Sequence, residues 1–183
     1  MRKYIVPFVL LIAAMSMSGC IVGIEDGQAG VKANFGKIDE NSLGTGWHFV
    51  PPVISWVEVW NIKTQEIKET ANVPSSEGLI ASLDVSVLYN VPRNKAPFVR
   101  RLIGPNYRET VLEPYVRESI RNVVSGYAVK ALFSDAGRKE IGEKILLFLR
   151  NKLEERGMMI QDVLLRDVRL PHVFSQSIEL KLK

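Results

Sequence analysis

Residues 79–91 hold one apolar face without a break. Leu79, Ala81, Leu83, Val85, Val87, Tyr89 and Val91 fall on one face, and Ser82, Asp84, Ser86 and Asn90 on the other. A period of two sustained for 13 residues cannot be wound into a helix, whose faces repeat every 3.6 residues. It requires a strand of an antiparallel sheet with one buried face. It puts Val85 and Val87 inside and Asp84 and Ser86 in solvent. A slip of one residue would invert the whole pattern, so the register is tightly specified.

The remaining chain supplies partners for that strand. Val31, Ala33 and Phe35 alternate between glycines, and residues 53–62 are β-branched and aromatic, as strands prefer. After Pro92 the period turns helical. Val111, Leu112, Tyr115, Val116, Ile120, Val123, Val124 and Tyr127 recur at spacings of three and four, with Pro114 near the start, where a missing N–H costs little. Ser134 is a candidate N-cap for a second helix with Ile141, Ile145, Phe148, Leu149 and Leu153 on its apolar face, and Gly157 is a natural stop. These readings give helices over 108–128 and 134–156. Residues 158–170 read as a further strand closed by Pro171, and 172–183 as the start of a C-terminal helix. Strands, then helices, then a strand make an α+β domain over 25–171, an antiparallel sheet packed with two or three helices.

The N-terminus has a different character. Arg2 and Lys3 precede an uncharged run that reaches Ser16-Met17-Ser18-Gly19-Cys20, and Cys20 is the only cysteine. A basic start, an apolar stretch and small residues before a cut describe a secretory signal peptide over 1–19. Cys20 directly after Ser18-Gly19 resembles the lipobox of bacterial lipoproteins, which implies a thioether-linked diacylglycerol on Cys20, cleavage before it and acylation of its amine. Residues 20–24 would then be the lipid-anchored start of the mature chain. The other reading is an uncleaved anchor, because no charge falls between Lys3 and Glu25, a stretch of 21 residues, and about 20 span a bilayer. Both place the domain on the periplasmic or extracytoplasmic side of a bacterial cell membrane. Ile21, rather than Asp, after the cysteine resembles lipoproteins sorted away from the inner membrane.

Charge excludes one large class of partner. The chain carries 24 basic and 20 acidic residues, and without Arg2 and Lys3 the balance falls to +2. Cations are interleaved with Glu and Asp, which is not a nucleic-acid footprint. Catalytic signatures are missing as well: no P-loop, G-x-S-x-G, H-E-x-x-H or C-x-x-C pattern occurs. Two histidines make a multi-histidine metal centre improbable. His48, beside two prolines and between aromatic residues, reads as a turn residue rather than a general base, and His172 as a capping or surface residue. Asp162, Arg166 and Asp167 form either a polar site or a solvated strand face, and Met158-Met159 reads as core filling. No enzyme activity, cofactor or metal is expected.

Several separated stretches carry a family resemblance. Gly30-Val31, Gly36-Lys37 and the run from Leu43 to Pro52 resemble the start of the SPFH, or Band 7, domain, the superfamily of stomatins, prohibitins, flotillins and the HflK/HflC pair. Gly46, His48, Phe49 and Pro52 match its Gly-x-His-Phe-x-x-Pro turn. Glu77-Gly78 and the alternating strand follow, and Gly104 to Pro114 with Ile120 to Val124 looks most like prohibitin. The resemblance implies a membrane-anchored scaffold that self-associates on the membrane surface and organises lipids or regulates membrane proteins or proteases. Its partners would be membrane lipids, further copies of itself and a membrane protease or other membrane protein. Family members usually continue into a long coiled coil. Only 12 residues follow Pro171 here, fewer than 3–4 heptads, so no long coiled coil is expected in this sequence.

Two groups of residues are candidate contacts. Trp47, Val53, Ile54 and Trp56 lie in or beside the uncharged stretch 51–57 and are a candidate membrane interface, aromatics favouring the membrane–water boundary; an ordinary core is the other reading. Arg117, Glu118 and Arg121, opposite the apolar stripe of the first helix, are candidate oligomer contacts or a solvated face. The alternative function is a solitary lipoprotein binding module holding one periplasmic partner.

Overall fold

The computed structural model describes residues 20–51 and 53–169. Its contacts divide the described chain into two compact units, 20–63 with 93–101, and 64–92 with 102–169. The single span 25–171 drawn from sequence thus folds as two units, each with its own core.

The first unit is built from short strands: β1 (Cys20–Ile24), β2 (Gln28–Asn34), β3 (Lys37–Ile38), β4 (Gly46–Val50) and β5 (Ser55–Asn61), with helix α1 (Ala96–Leu102) belonging to it as far as Arg101. β1 and β4 form a two-stranded ribbon, and β3-β2-β5 a three-stranded antiparallel sheet. Residues 20–24, set apart from the domain by the sequence reading, are therefore an integral strand, because Gly46 to Val50 offers them a full antiparallel ladder. Ribbon and sheet meet closely at Gly30: a Cβ there would fall 2.5 Å from Ile24 Cδ1 and 3.1 Å from Leu43 Cβ. Ile24, Ala29, Val31, Ala33, Val50, Trp60, Ala96 and Val99 fill this core.

The second unit holds the long hairpin β6 (Gln65–Pro74) and β7 (Ile80–Asn90), a π-helical turn (Arg108–Leu112), α2 (Glu113–Val124), α3 (Val129–Phe133), α4 (Asp135–Leu153) and β8 (Met159–Arg169). The sheet order is β6-β7-β8, antiparallel throughout. α2 packs on β6 and α4 on β8, so the helices cover the face that carries Leu83, Val85, Val87 and Tyr89. The expected caps are present: Ser134 Oγ accepts the Gly137 N–H at 3.1 Å, and Gly157 takes φ +87° after the last helix. The helices α1 and α3 are new to the sequence reading.

Three expectations change. Val85 and Val87 are buried as read, and Asp84 is half-buried, but Ser86 is fully buried. It lies between Lys68 of β6 and Leu164 of β8, whose longer side chains close over a small hydroxyl on a central strand. Phe35 does not continue the alternation of β2. It turns out of the strand at φ +49°, followed by Gly36 at φ +80°. Met158 is buried as core, whereas Met159 on the next position of β8 is exposed.

The edge strand β8 is sealed by α4. Arg138 Nη2 donates to the carbonyls of Leu165 and Arg166 at 2.8 and 3.1 Å. Arg150 donates to those of Ile160 and Gln161 at 2.9 and 3.1 Å. Both clamps fall where β8 slips its register against β7. An unpaired edge is a template for foreign strands, and a covering helix removes it.

Candidate functional site

The registers of the first unit bring three segments to one end. β1 begins at Cys20, which pairs with Val50 at the end of β4. β2 ends at Asn34 opposite Ser55. The Phe35 N–H donates to the Ile54 carbonyl at 2.7 Å, and the Ser55 N–H to the Pro51 carbonyl at 3.0 Å. The point where the N-terminal segment enters, the β2–β3 turn and the loop after β4 are therefore neighbours. Across 20–22, 34–37 and 49–55 the sole charge is Lys37. At the opposite ends of the same strands stand Glu25, Asp26 and Lys63.

This end is apolar and uncovered in the described structure. Val53 is 89% and Phe35 83% exposed, and Ile54 is also open. Phe35-Gly36 joins two strands as a two-residue turn with positive φ at both positions, the geometry that favours Asn-Gly or Gly-Gly. A phenylalanine there is a conformational outlier, held against a local cost in a place where its ring touches little. Ile21 pairs with Phe49 and Gly23 with Trp47, so one face of the ribbon carries Ile21, Phe49 and the 82%-exposed Trp47. The Trp47 ring lies across Gly23, where an added Cβ would come to 3.0 Å from it.

Of the four residues singled out from sequence, Val53 and Ile54 belong to this end and Trp47 to the adjoining ribbon face. Trp56 differs. It pairs with Ala33 on the face covered by α1, and the Arg100 guanidinium lies 5.4 Å from its ring centroid while donating to Glu58 at 2.7 Å. Trp60 is core. Sequence reasoning did not single out Phe35, Ile21 or Phe49; the pattern Asn34-Phe35-Gly36-Lys37, with Gly in the second turn position, was the signal available for Phe35. His48 Nε2 lies 2.8 Å from the Gly44 carbonyl, which fastens the turn before β4. Cys20 is placed by its backbone alone, and residues 1–19 and His172 lie outside the described residues. No helix among the described residues is long and apolar enough to cross a membrane.

In the second unit, Arg117 is engaged within its own chain. Its guanidinium is bonded to Glu69 and lies 3.6 Å from Glu113, and the Glu69 bond raises its already high pKa further. Glu118 and Arg121 are exposed. Arg121 borders a hollow of about 310 Å³ with Glu69, Asn72 and Arg117. On the outer sheet face, Asp84 accepts from Thr70 at 2.8 Å and from Arg169 at 2.9 Å, and Arg169 also holds Asp167 at 2.7 Å. Arg166 lies 3.4 Å from Glu66. The Ser86 hydroxyl, with Lys68 and Arg166, holds the Glu66 carboxyl below its ordinary range. Asp162 directs its carboxylate to the Val163 N–H. Apart from Glu118, Arg121 and Asp162, these acids and bases neutralise one another. Among the described residues no three His, Cys, Asp or Glu side chains converge as a metal site.

Residues 22–183 match the SPFH domain / Band 7 pattern. The chain belongs to that family. Curated relatives of this SPFH chain include the mitochondrial Prohibitin-4 of Arabidopsis thaliana, 20% identical over 175 residues, covering 95% of this chain and 62% of the relative. Prohibitin-1 of Saccharomyces cerevisiae is 22% identical over 144 residues, 79% of this chain and 50% of its own length. Prohibitin 1 of Drosophila melanogaster is 21% identical over 166 residues, 90% and 59% respectively. The SPFH chain spans about half to three-fifths of the length of these relatives.

Proposed function

We propose that this prohibitin-like SPFH protein is a membrane-anchored scaffold rather than an enzyme: it is tethered at Cys20, rests the apolar end of its first unit on the bilayer and associates with further copies there. The observation that carries this reading is the convergence of Cys20, Phe35 and Val53-Ile54 at one end of the strands, with Lys37 as the sole charge in the segments that form it. An apolar tip beside the lipid-bearing residue enters the acyl boundary as soon as the tether is in place, and a lysine at its rim favours anionic headgroups. Trp47 and Phe49 extend the surface along the ribbon, and Trp56 with Arg100 over its ring stands at its margin.

Tethering supplies the second ingredient. One acyl chain binds marginally, whereas several together anchor firmly, so a triacylated Cys20 confines the protein to a surface and raises its local concentration. Surface confinement favours weak lateral contacts through the charged face of α2, and an array of copies then organises lipids or restrains a neighbouring membrane protease. On this reading the protein works on the extracytoplasmic side of a bacterial membrane, with residues 1–19 as its signal peptide.

Mass spectrometry of the purified protein tests the tether: acyl mass on Cys20 is expected, and an unmodified chain that keeps residues 1–19 assigns a transmembrane anchor instead. Native mass in mild detergent tests association. Assemblies of several copies support the scaffold, and a monomer at membrane-like concentration replaces it with a module that holds one periplasmic partner.

A further inference from the structure

The sheet of the second unit has two edge strands, and they are finished differently. Along β8 both kinds of backbone group are taken. Arg138 and Arg150 hold the carbonyls of Ile160, Gln161, Leu165 and Arg166, and the carboxylates of Asp162 and Asp167 accept the N–H groups of Val163 and Val168 at 2.8 and 2.9 Å. Along β6 no such cover exists among the described residues. From Glu66 to Val73 the backbone is bonded only to β7, so every second residue turns an N–H and a C=O outward.

A hollow of about 310 Å³ follows this bare edge. It is lined by the successive strand residues Glu69 to Val73 and by Arg117 and Arg121 of α2. A sheet face presents only alternate residues, so a hollow touched by an unbroken run of them lies along the strand's edge. Pro74, with no N–H to offer, closes it at one end. Thr70 to Val73 carry no charge, and Glu69, the sole acid of the lining, is already held by Arg117. The Arg121 side chain has no partner among the described residues, so one guanidinium is left over at the rim.

We infer that β6 takes up an extended segment of another protein as a fourth strand of this sheet, with an acidic residue of that segment held by Arg121. Strand addition draws its affinity from main-chain hydrogen bonds, and side-chain contacts set the choice of partner. Here the choice is one of sign, because a guanidinium meets a carboxylate through two parallel hydrogen bonds. β6 of a second copy fits the edge poorly, since its acids Glu66 and Glu69 are already bonded to Arg166 and Arg117. The site lies wholly within the second unit and stands with or without self-association.

Three series of synthetic decapeptides test it on the full-length protein in mild detergent. Valine and threonine alternate with aspartate in the first, asparagine in the second and lysine in the third. Fluorescence anisotropy is expected to rank them in that order, with the first at least about tenfold tighter than the second. The bound aspartate peptide is expected to slow hydrogen exchange within 69–73. N-methylation of its amides, which removes the strand's donors and keeps its charge, is expected to abolish both effects. Arg121→Glu loses the preference for aspartate and Arg121→Lys keeps most of it; melting temperatures report the fold, and Arg121→Gln serves if Arg121→Glu does not fold. No binding by any series, binding that survives N-methylation, or a preference that survives loss of the Arg121 charge overturns the inference. So does protection of 69–73 before peptide is added, which assigns the edge to the chain itself or to a second copy. None of these readouts depends on acyl mass at Cys20 or on native mass, so the site and the scaffold fail separately.

Discussion

The two units are made by the same chemistry but carry different surfaces. Among the described residues the first unit exposes Ile21, Phe35, Trp47, Phe49, Val53, Ile54, Trp56 and Val59, all but Trp56 and Val59 gathered on one ribbon face and one end. The larger second unit exposes Ile80, Leu102, Phe133, Leu147, Met159 and Leu164, of which only Phe133 is aromatic. Its surface is instead tied by ion pairs, Arg117 with Glu69, Lys144 with Glu140, Arg166 with Glu66 and Arg169 with Asp84 and Asp167, whereas the first unit shows Arg100 with Glu58 and Arg101 with Glu40. Scattered apolar residues are ordinary on any surface, but aromatic and aliphatic residues gathered at one end of a fold mark a contact. The described surface of unit two pairs charges within the unit, whereas unit one leaves an apolar end uncovered.

One substitution made in both units breaks the comparison most sharply. Val85→Asp puts a carboxylate at a position 1% exposed, with no cation to meet it, and is expected to cost about 3–5 kcal/mol, enough to unfold a marginally stable domain. Val53→Asp makes the same chemical change at 89% exposure and is expected to move stability by less than about 0.5 kcal/mol while weakening the vesicle binding that remains in protein produced without residues 1–19 and the Cys20 lipid. Urea unfolding and vesicle sedimentation read the two effects. A stable Val85→Asp protein would contradict the strand register, and full vesicle binding by Val53→Asp would detach that end from the membrane.

The second unit's edge gives the next effect. Arg138→Ala and Arg150→Ala each free two carbonyls of β8 and remove charge-assisted hydrogen bonds, at an expected cost of about 1–2 kcal/mol each. Because the strand edge is then open, the double variant is also expected to aggregate on partial unfolding, which light scattering during a thermal ramp detects. A double variant that melts like wild type and stays clear would show the helix backbone alone to be the seal.

The strand at the centre of that sheet was legible in sequence because alternation is local. Val85 and Val87 face the core as their spacing says. Ser86 was not legible: its cover comes from β8, whose Leu164 is 78 positions away. The same distance effect hides the fate of the charged candidates. Arg117 reads as a free surface cation until β6 brings Glu69 beneath it, and Trp56 reads as one of an apolar run until α1 lays Arg100 over it. α1 and α3, of seven and five residues, are too short to show an amphipathic period. Phe35 was not legible because it lies one residue past the end of its strand, in a turn whose positive φ an alternating pattern does not carry.

That turn sets a stability gain against a functional loss. At φ +49° Phe35 occupies a region that asparagine tolerates far better, and Asn-Gly is the preferred pair for this hairpin. Phe35→Asn is therefore expected to stabilise the first unit by about 1 kcal/mol and at the same time to weaken vesicle binding. Opposite signs in the two measurements separate a residue kept for contact from one kept for folding. Loss of stability would show the ring to be part of the core.

The smallest effect belongs to the ionic surface of the second unit. Glu140 is held below its ordinary pKa first by the Tyr127 hydroxyl, which donates to it at 2.7 Å, and then by Lys144, whose ammonium reaches it at 3.0 Å and lies over the Tyr127 ring. A lowered carboxyl contributes stability above its unfolded pKa and loses it as pH falls through the folded value. Tyr127→Phe removes the hydroxyl and keeps the ring under Lys144. It is expected to return the Glu140 pKa toward the ordinary value, leaving a slight deficit in melting temperature at neutral pH that closes as the solution is acidified through the carboxylate range. Glu140 and Lys144 are largely exposed, so salt and water screen the effect, and it is smaller than any apolar change in the core. Carboxyl chemical shifts followed through an NMR titration read it directly. Identical Glu140 titration in wild type and Tyr127→Phe would assign the shift to Lys144 alone, and the tyrosine would then contribute only its ring.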